Sequence, residues 1–167
     1  MCSSDLKWLI VIPPIAAGGP YTMTVRTKSE TKVFSDVLFG EVWLCSGQSN
    51  MEFRVKQAVN AGYEMHRADN PLIRQVAIPD KLSFHPEEFI DSIQWTISTP
   101  QTTGEFTAVG YFFAKDIYER LHVPVGLIYD NWGGSQVESW ISKEAMTGSD
   151  DLKDYARQIP TDRKSVV

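Results

Sequence analysis

The chain has 167 residues, 43% hydrophobic and 22% charged, a balance typical of a globular protein with a sizeable core. Its formal net charge of −5 argues against a surface for nucleic acid or anionic membrane, which requires clustered lysine and arginine. No apolar run is long enough to cross a bilayer. Two cysteines give no disulfide framework, and no His, Cys, Asp or Glu cluster has metal-ligand spacing. We therefore expect no nucleic-acid or membrane partner, no metal and no other cofactor.

The amino-terminal part of the sequence indicates β structure. Residues 8–12 are an apolar strand candidate, closed by Pro13 and Pro14. Residues 21–27 alternate apolar and polar side chains, the pattern of a strand with one buried face. Residues 33–39 supply a further apolar stretch after a turn. We expect paired strands here.

Residues 42–45 form a short apolar run, typical of a strand buried on both faces, with Cys45 as a small core residue. Small and polar residues follow, and they place Ser49 just past the carboxyl end of the strand, where open α/β sheets bind ligands. Gly47 permits a tight turn and leaves room beside Ser49. A serine presented in this way can act as a nucleophile if a base reaches it and backbone N–H groups face the developing oxyanion.

A structural interpretation of the same residues is also available. Ser49 and Glu52 have the spacing of a helix capping box, and spacing alone favours that interpretation. The Gly-x-Ser-x-Gly elbow of α/β-hydrolases is excluded, because Met51 stands where its second glycine would be.

The rest of the chain alternates between predicted helices and strands. The expected elements are a helix over residues 52–68, a strand over 72–78, a long connection over 80–103 with a short strand at 93–97, a helix over 107–121, a strand over 123–129, and a helix capped by Ser135 and Glu138. In the helix over 107–121 one apolar stripe should face the core, formed by Val109, Phe112, Phe113, Ile117 and Leu121. This alternation predicts a three-layer α/β sandwich built on a parallel sheet.

Two long motifs carry a specific resemblance. Residues 40–52 read Gly-Glu-Val-Trp-Leu-Cys-Ser-Gly-Gln-Ser-Asn-Met-Glu, and residues 123–140 contain Val-Pro-Val-Gly-Leu-Ile followed by Trp-Gly-Gly-Ser and Glu-Ser-Trp. Both resemble the sialate O-acetylesterase family of SGNH-type carbohydrate esterases, with Ser135 in place of the usual threonine. The likeness extends from about residue 8 to about residue 146. It implies a flavodoxin-like parallel sheet, truncated here and preceded by remnant strands of an upstream β-rich domain.

The resemblance also implies roles for residues at the two turns. Ser49 would be the nucleophile, and its own N–H the first oxyanion donor. Gly133 would supply the second donor, although without Ser49 a plain turn at Gly133 and Gly134 would be preferred. Gln48, Asn50 and Gly134 would shape the site or touch the substrate.

No sequence pattern in the chain identifies a general base. The family places its catalytic Asp and His as Asp-x-x-His and carries a Gln-Gly-Glu-Ser block, and neither string occurs here. His122 has Glu119 three residues earlier, but the pair ends an exposed helix, where the helix dipole favours a histidine. His66 and His85 are expected to be solvated. We therefore expect the isolated chain to be inactive.

Both ends of the chain are interpreted as non-native tails of a fragment. Codons for residues 2–6 can be chosen so that their reverse complement encodes residues 162–165, as expected of an adapter translated in opposite orientations. The expected organisation is a tail at 1–6, a remnant β domain at 7–36, a partial esterase domain at 37–161 and a tail at 162–167.

The resemblance thus implies a serine esterase that removes O-acetyl groups from sialic acids or other sugars through an acyl-Ser49 intermediate. The alternative is a non-enzymatic α/β module that binds a small polar or anionic ligand over the glycine-rich turns. A periplasmic or secreted location is implied by the resemblance alone. The sequence does not specify the sugar, the acetyl position or the oligomeric state.

Overall fold

The computed structural model describes residues 9–83, 87, 89–90 and 93–158. The tails predicted at 1–6 and 162–167 lie outside this range. The strands are β1 Gly18–Arg26, β2 Thr31–Phe39, β3 Glu41–Gly47, β4 Asn70–Ala77, β5 Trp95–Ser98 and β6 Val125–Asn131. The α-helices are α1 Ser49–Glu52, α2 Ala61–Arg67, α3 Ala108–Leu121, α4 Lys143–Thr147 and α5 Lys153–Gln158. Short 3-10 helices cover Val55–Gln57, Thr103–Glu105 and Val137–Trp140.

The main sheet has four strands in the order β3-β6-β4-β5. The first three are parallel, and β5 runs antiparallel to β4. Residues of β6 are buried alternately, and its buried side chains Val125 and Leu127 join a core cluster with residues of α3. The structure therefore confirms the predicted α/β class, and β4, β5, β6 and α3 lie close to their predicted positions. No helix of the described residues is both long and apolar enough to span a membrane.

Helix α3 packs through a different face from the one predicted. Three of its four buried residues are small and the fourth is a tyrosine: Ala108, Gly110, Ala114 and Tyr111. Of the predicted stripe, Phe112 and Ile117 pack against the core, whereas Val109, Phe113 and Leu121 are exposed. Small residues allow the helix to approach the sheet closely, since a Cβ on Gly110 would lie 2.8 Å from Cys45 Sγ. Hydrophobic periodicity alone does not reveal that the face with the small residues packs against the sheet.

Strand β3 is an edge strand, so the prediction that it is buried on both faces was wrong. The exposed fractions of Val42, Trp43 and Leu44 are 59%, 43% and 63%, so the described elements leave both faces of this strand partly uncovered, and β6 adjoins it on one side only. Cys45 is buried, as predicted. Phe113 of α3 packs edge-on against Trp43 with 4.9 Å between ring centroids, which partly covers one face of the strand.

The amino-terminal strands form a separate antiparallel sheet of β1 and β2. Residues 9–12 of the strand predicted at 8–12 are exposed and irregular, so that prediction was wrong for the described part. Arg74 of β4 links the two sheets through an ion pair with Asp36 at 2.8 Å. The predicted boundary at residues 36–37 falls within β2 and stays a prediction.

The predicted helix over residues 52–68 is divided into α1, the 3-10 turn Val55–Gln57 and α2. Neither predicted capping box forms. Gln48 rather than Ser49 is the N-cap of α1, and the segment after Ser135 is the 3-10 helix Val137–Trp140. The Ser135 hydroxyl instead donates to Trp132 O at 2.7 Å and accepts from Trp140 Nε1 at 2.8 Å.

Buried polar groups around Thr107 connect three elements. Thr107 is fully buried and caps α3, its N–H donates to Gln75 Oε1 of β4 at 2.9 Å, and its hydroxyl donates to Met51 O of α1 at 2.7 Å. Such groups are costly to leave unpaired, because water cannot replace the lost partner.

We expect Thr107→Ala to lower the free energy of unfolding by about 1–2 kcal/mol, because it removes the α3 cap and leaves Met51 O without its donor. Urea unfolding of both proteins measures the change. Thr24→Ala on exposed β1 is the matched control and should change stability by less than about 0.5 kcal/mol. Equal effects of the two substitutions would contradict the connecting role of Thr107.

Candidate active site

The candidate site lies at the carboxyl ends of β3 and β6. These strands pair in parallel, Gly47 is the register partner of Asn131, and Trp132 N–H donates to Gly47 O at 3.0 Å. Ser49 begins α1 two residues beyond Gly47, and Gly133 lies two residues beyond Asn131. The two turns therefore leave the sheet side by side, as the sequence predicts, whereas the roles of Ser49 and Gly133 stay predictions.

The turn at the end of β3 presents Ser49 to solvent. Gly47 has a φ of 139°, a value that favours glycine. Gln48 O then accepts hydrogen bonds from the N–H groups of Met51 and Glu52 at 2.8 and 3.0 Å. The N–H groups of Ser49 and Asn50 precede these bonds, so they belong to the first turn and have no intrahelical acceptor. Ser49 is exposed, and no described side chain is hydrogen-bonded to its hydroxyl.

Three hydrogen bonds hold the short α1 against the sheet. Thr107 donates to Met51 O, Tyr129 OH donates to Glu52 O at 3.2 Å, and Ala108 N–H donates to Phe53 O at 2.8 Å. Because these partners belong to β6 and to the start of α3, the position of Ser49 is fixed by elements far from it in the sequence.

Glu52 lies against Gly133, a contact that the sequence did not suggest. A Cβ placed on residue 133 would lie 2.0 Å from Glu52 Oε2, so glycine is needed there while Glu52 keeps this position. In the sequence, Glu52 was considered only as half of a capping box. Its position in the same motif as Ser49 was the feature that could have indicated a place at the site. The next residue, Gly134, has a φ of 77° and open space around it.

Asn131 is a second residue that sequence reasoning missed. It is 6% exposed at the end of β6, and both atoms of its carboxamide are buried without a hydrogen-bond partner among the described residues. Buried unpaired polar groups are rare and are often functional. The sequence feature that could have identified Asn131 is its polar side chain shortly after the apolar run 123–129.

A cavity of about 690 Å³ opens beside Gly133 and Gly134. Its described walls come from the end of β6 and from the segments that follow β4 and β6, and they include Ile78, Asp80, Asp130, Trp132 and Trp140. Burial raises the pKa of the Asp130 carboxyl, and the negative charge of Asp80 raises it further. Ser49 is not among the lining residues.

Neither described histidine is hydrogen-bonded to Ser49. His122 ends α3 in a left-handed conformation, whereas α1 packs at the start of that helix. The 14 residues of α3 span about 20 Å, which is too far for proton transfer. His66 is exposed on α2, which packs against the 3-10 helices Val55–Gln57 and Thr103–Glu105. His85 lies outside the described residues.

We expect Gly133→Ala to lower the free energy of unfolding by less than about 1 kcal/mol, because its Cβ displaces only the exposed, flexible end of the Glu52 side chain. In a Glu52→Ala background that penalty should vanish, a coupling that a double-mutant cycle of urea unfolding measures. Gly134→Ala is the matched control: its left-handed backbone costs about 1 kcal/mol with or without Glu52. Additive effects of the changes at 133 and 52 would contradict the contact.

Comparison with known proteins supports the resemblance. A family model described as carbohydrate esterase, sialic acid-specific acetylesterase matches residues 39–164. The sialate O-acetylesterases of Mus musculus and Homo sapiens are 34% and 33% identical to this chain over 153 residues. Each alignment covers 83% of this chain but only 28% and 29% of the respective relative.

A solved structure agrees with these relatives. The crystal structure of a carbohydrate acetylesterase from Xanthomonas citri matches with a TM-score of 0.78 and 38% identity over 90% of this chain and 34% of that one. The chain thus spans about a third or less of the length of the proteins it matches. Because the family model covers most of its residues and the fold agrees, the chain belongs to the carbohydrate esterase, sialic acid-specific acetylesterase family.

Proposed function

We propose that this chain carries the nucleophile and the oxyanion-binding turns of a serine esterase that removes acetyl groups from O-acetylated sugars. The parallel pairing of β3 with β6 is the main support, since it brings the Ser49 and Gly133 turns to one edge of the sheet. Membership of the family is the second support. The names of the relatives suggest the substrate class, either sialate or another carbohydrate.

In the proposed reaction, Ser49 Oγ attacks the acetyl carbonyl carbon and forms a tetrahedral intermediate. The negative oxygen accepts hydrogen bonds from the N–H groups of Ser49 and Gly133. The intermediate collapses, the C–O bond to the sugar breaks, and the sugar oxygen leaves with a proton. Water then attacks acyl-Ser49 and releases acetate. Gln48, Asn50 and Gly134 would shape the turns around the acetyl group.

The proton on Ser49 Oγ requires a base. The chain contains no Asp-x-x-His string, the pattern that the family resemblance implies, and neither described histidine is hydrogen-bonded to Ser49, with His122 at the far end of α3. We propose that the base belongs to the part of the longer relatives that this chain does not match. The isolated chain would then be a catalytically incomplete piece.

The alternative, a module that binds an anion over the glycine-rich turns, is less well supported. The Glu52 carboxylate lies against Gly133, and Asp130 lies in the wall of the adjacent cavity. Negative charges near the turns repel an anionic ligand.

A longer protein that joins this segment to the remaining length of its relatives should hydrolyse O-acetyl sugars, with turnover measured by acetate release. Ser49→Ala should lower kcat by about 10⁴-fold or more, because the covalent path is lost. Ser46→Ala, near the end of β3, is the matched control and should keep most of the activity. Full activity of the Ser49→Ala protein would exclude Ser49 as the nucleophile.

The 167-residue chain alone should show at most trace hydrolysis of an activated acetyl ester, because a serine without a base is a weak nucleophile. Ser49→Ala should change this trace little. The assay follows release of the coloured alcohol, with heat-denatured chain as the blank. An ordinary enzymatic rate that depends on both Ser49 and His122 would show that the chain holds a complete, unfamiliar triad.

A further inference from the structure

The cavity beside Gly133 has the size and walls of a sugar site. A volume of about 690 Å³ lies within the range of small-molecule pockets, and it is ample for one or two sugar rings. Trp132 and Trp140 line it, each 40% exposed. Indole faces offer large, rigid apolar surfaces against which the C–H faces of a pyranose can pack. Trp140 is held in place by the hydrogen bond from its Nε1 to Ser135 Oγ.

The charges in the cavity wall are predominantly negative. Asp80, Asp130 and Glu87 line it, and Lys81 is the single cation among the described lining residues. Lys81 is engaged by Glu87 at 3.2 Å, which leaves no described lining cation free to pair with an acidic ligand. Asp80 and Asp130 line the same cavity, and the pKa of the Asp130 carboxyl is raised first by burial and second by the negative charge of Asp80.

These features bear on which acetylated sugar can enter. Sialic acids carry a carboxylate at neutral pH, and most acetylated hexoses and pentoses carry no charge. A carboxylate in this cavity would meet the negative charges of exposed Asp80 and half-buried Asp130, whereas a neutral ring would pack on the tryptophans and donate its hydroxyl protons to the same aspartates.

Resting on the proposed function, we propose that this cavity is the sugar subsite and that it selects neutral O-acetylated sugars over acetylated sialic acids. Selection follows from the fixed negative charge of Asp80 and Asp130, which repels a ligand carboxylate and accepts hydrogen bonds from neutral hydroxyl groups. The tryptophans supply affinity for both ligand classes, and the aspartates supply the discrimination.

Direct binding to the purified chain tests the proposal without any need for turnover. Titrations followed by calorimetry and by saturation-transfer NMR would compare methyl O-acetyl-β-D-glucopyranoside with O-acetyl-N-acetylneuraminic acid. We expect the neutral glycoside to bind about tenfold or more tightly than the acid at low salt, and the difference to shrink as salt screens the aspartates. Trp140→Ala should weaken the binding of both ligands.

The charge variants separate discrimination from affinity. Asp80→Asn combined with Asp130→Asn should tighten sialate binding about three- to tenfold and leave the neutral sugar within about twofold. Asp151→Asn, an exposed aspartate outside the cavity, is the matched control and should change neither affinity. Circular dichroism and urea unfolding verify that each variant is folded, and the single variants replace the double one if it is not.

Equal or tighter binding of the sialic acid to the unaltered chain would overturn the selectivity, and binding of neither sugar would overturn the subsite itself. The proposed function fails on a different observation, full activity of the longer protein after Ser49→Ala. Because the binding experiment does not use Ser49 chemistry, the two failures are distinguishable.

Discussion

The parallel register between β3 and β6 is the constraint on which the candidate site depends. Pairing runs from Glu41 with Val125 to Gly47 with Asn131, and the hydrogen bond from Trp132 N–H to Gly47 O carries the alignment into the turns. A slip of one residue would turn Cys45 away from α3 and offset the two turns by about 3.3 Å. Such an offset exceeds what an oxyanion hole tolerates, because both donors must reach one oxygen atom. The packing of α3 against Cys45 therefore protects the geometry of a site some distance away.

A second requirement concerns α1, which has only four residues and cannot be stable as an isolated helix. Its carbonyl groups are bonded to Thr107 and to Tyr129, so tertiary hydrogen bonds replace the missing helical length. Thr107 also caps α3 and binds Gln75, and one buried threonine thus couples the Ser49 turn to the central sheet. A short, externally held helix leaves its first N–H groups available to a ligand. This arrangement is consistent with the oxyanion role proposed for Ser49 N–H.

The positions of the two turns could be predicted from the sequence, whereas the packing around them could not. The elements β4, β6 and α3 could be predicted because their hydrophobic patterns are local, and the family followed from two long motifs. The exposure of Val42 and Leu44 could not be predicted, since an apolar run does not specify how many neighbours a strand has. The face that α3 buries was also missed, because the close approach at Gly110 depends on tertiary packing. The contact between Glu52 and Gly133 joins residues 81 positions apart in the chain and has no local pattern.

Carboxylates near the turns set a limit on how the proposed chemistry can work. Glu52 lies against Gly133, and Asp130 with Asp80 lines the cavity that opens beside the same glycine. Negative charge in these positions opposes an oxyanion forming at Gly133, so the stabilising N–H dipoles must be closer to the oxygen than the carboxylates are. Glu52 can satisfy this condition because its side chain is exposed and can move to another staggered rotamer. Asp130 is half-buried, and its place on β6 fixes its backbone, so its carboxylate would repel an acidic ligand and not a neutral one.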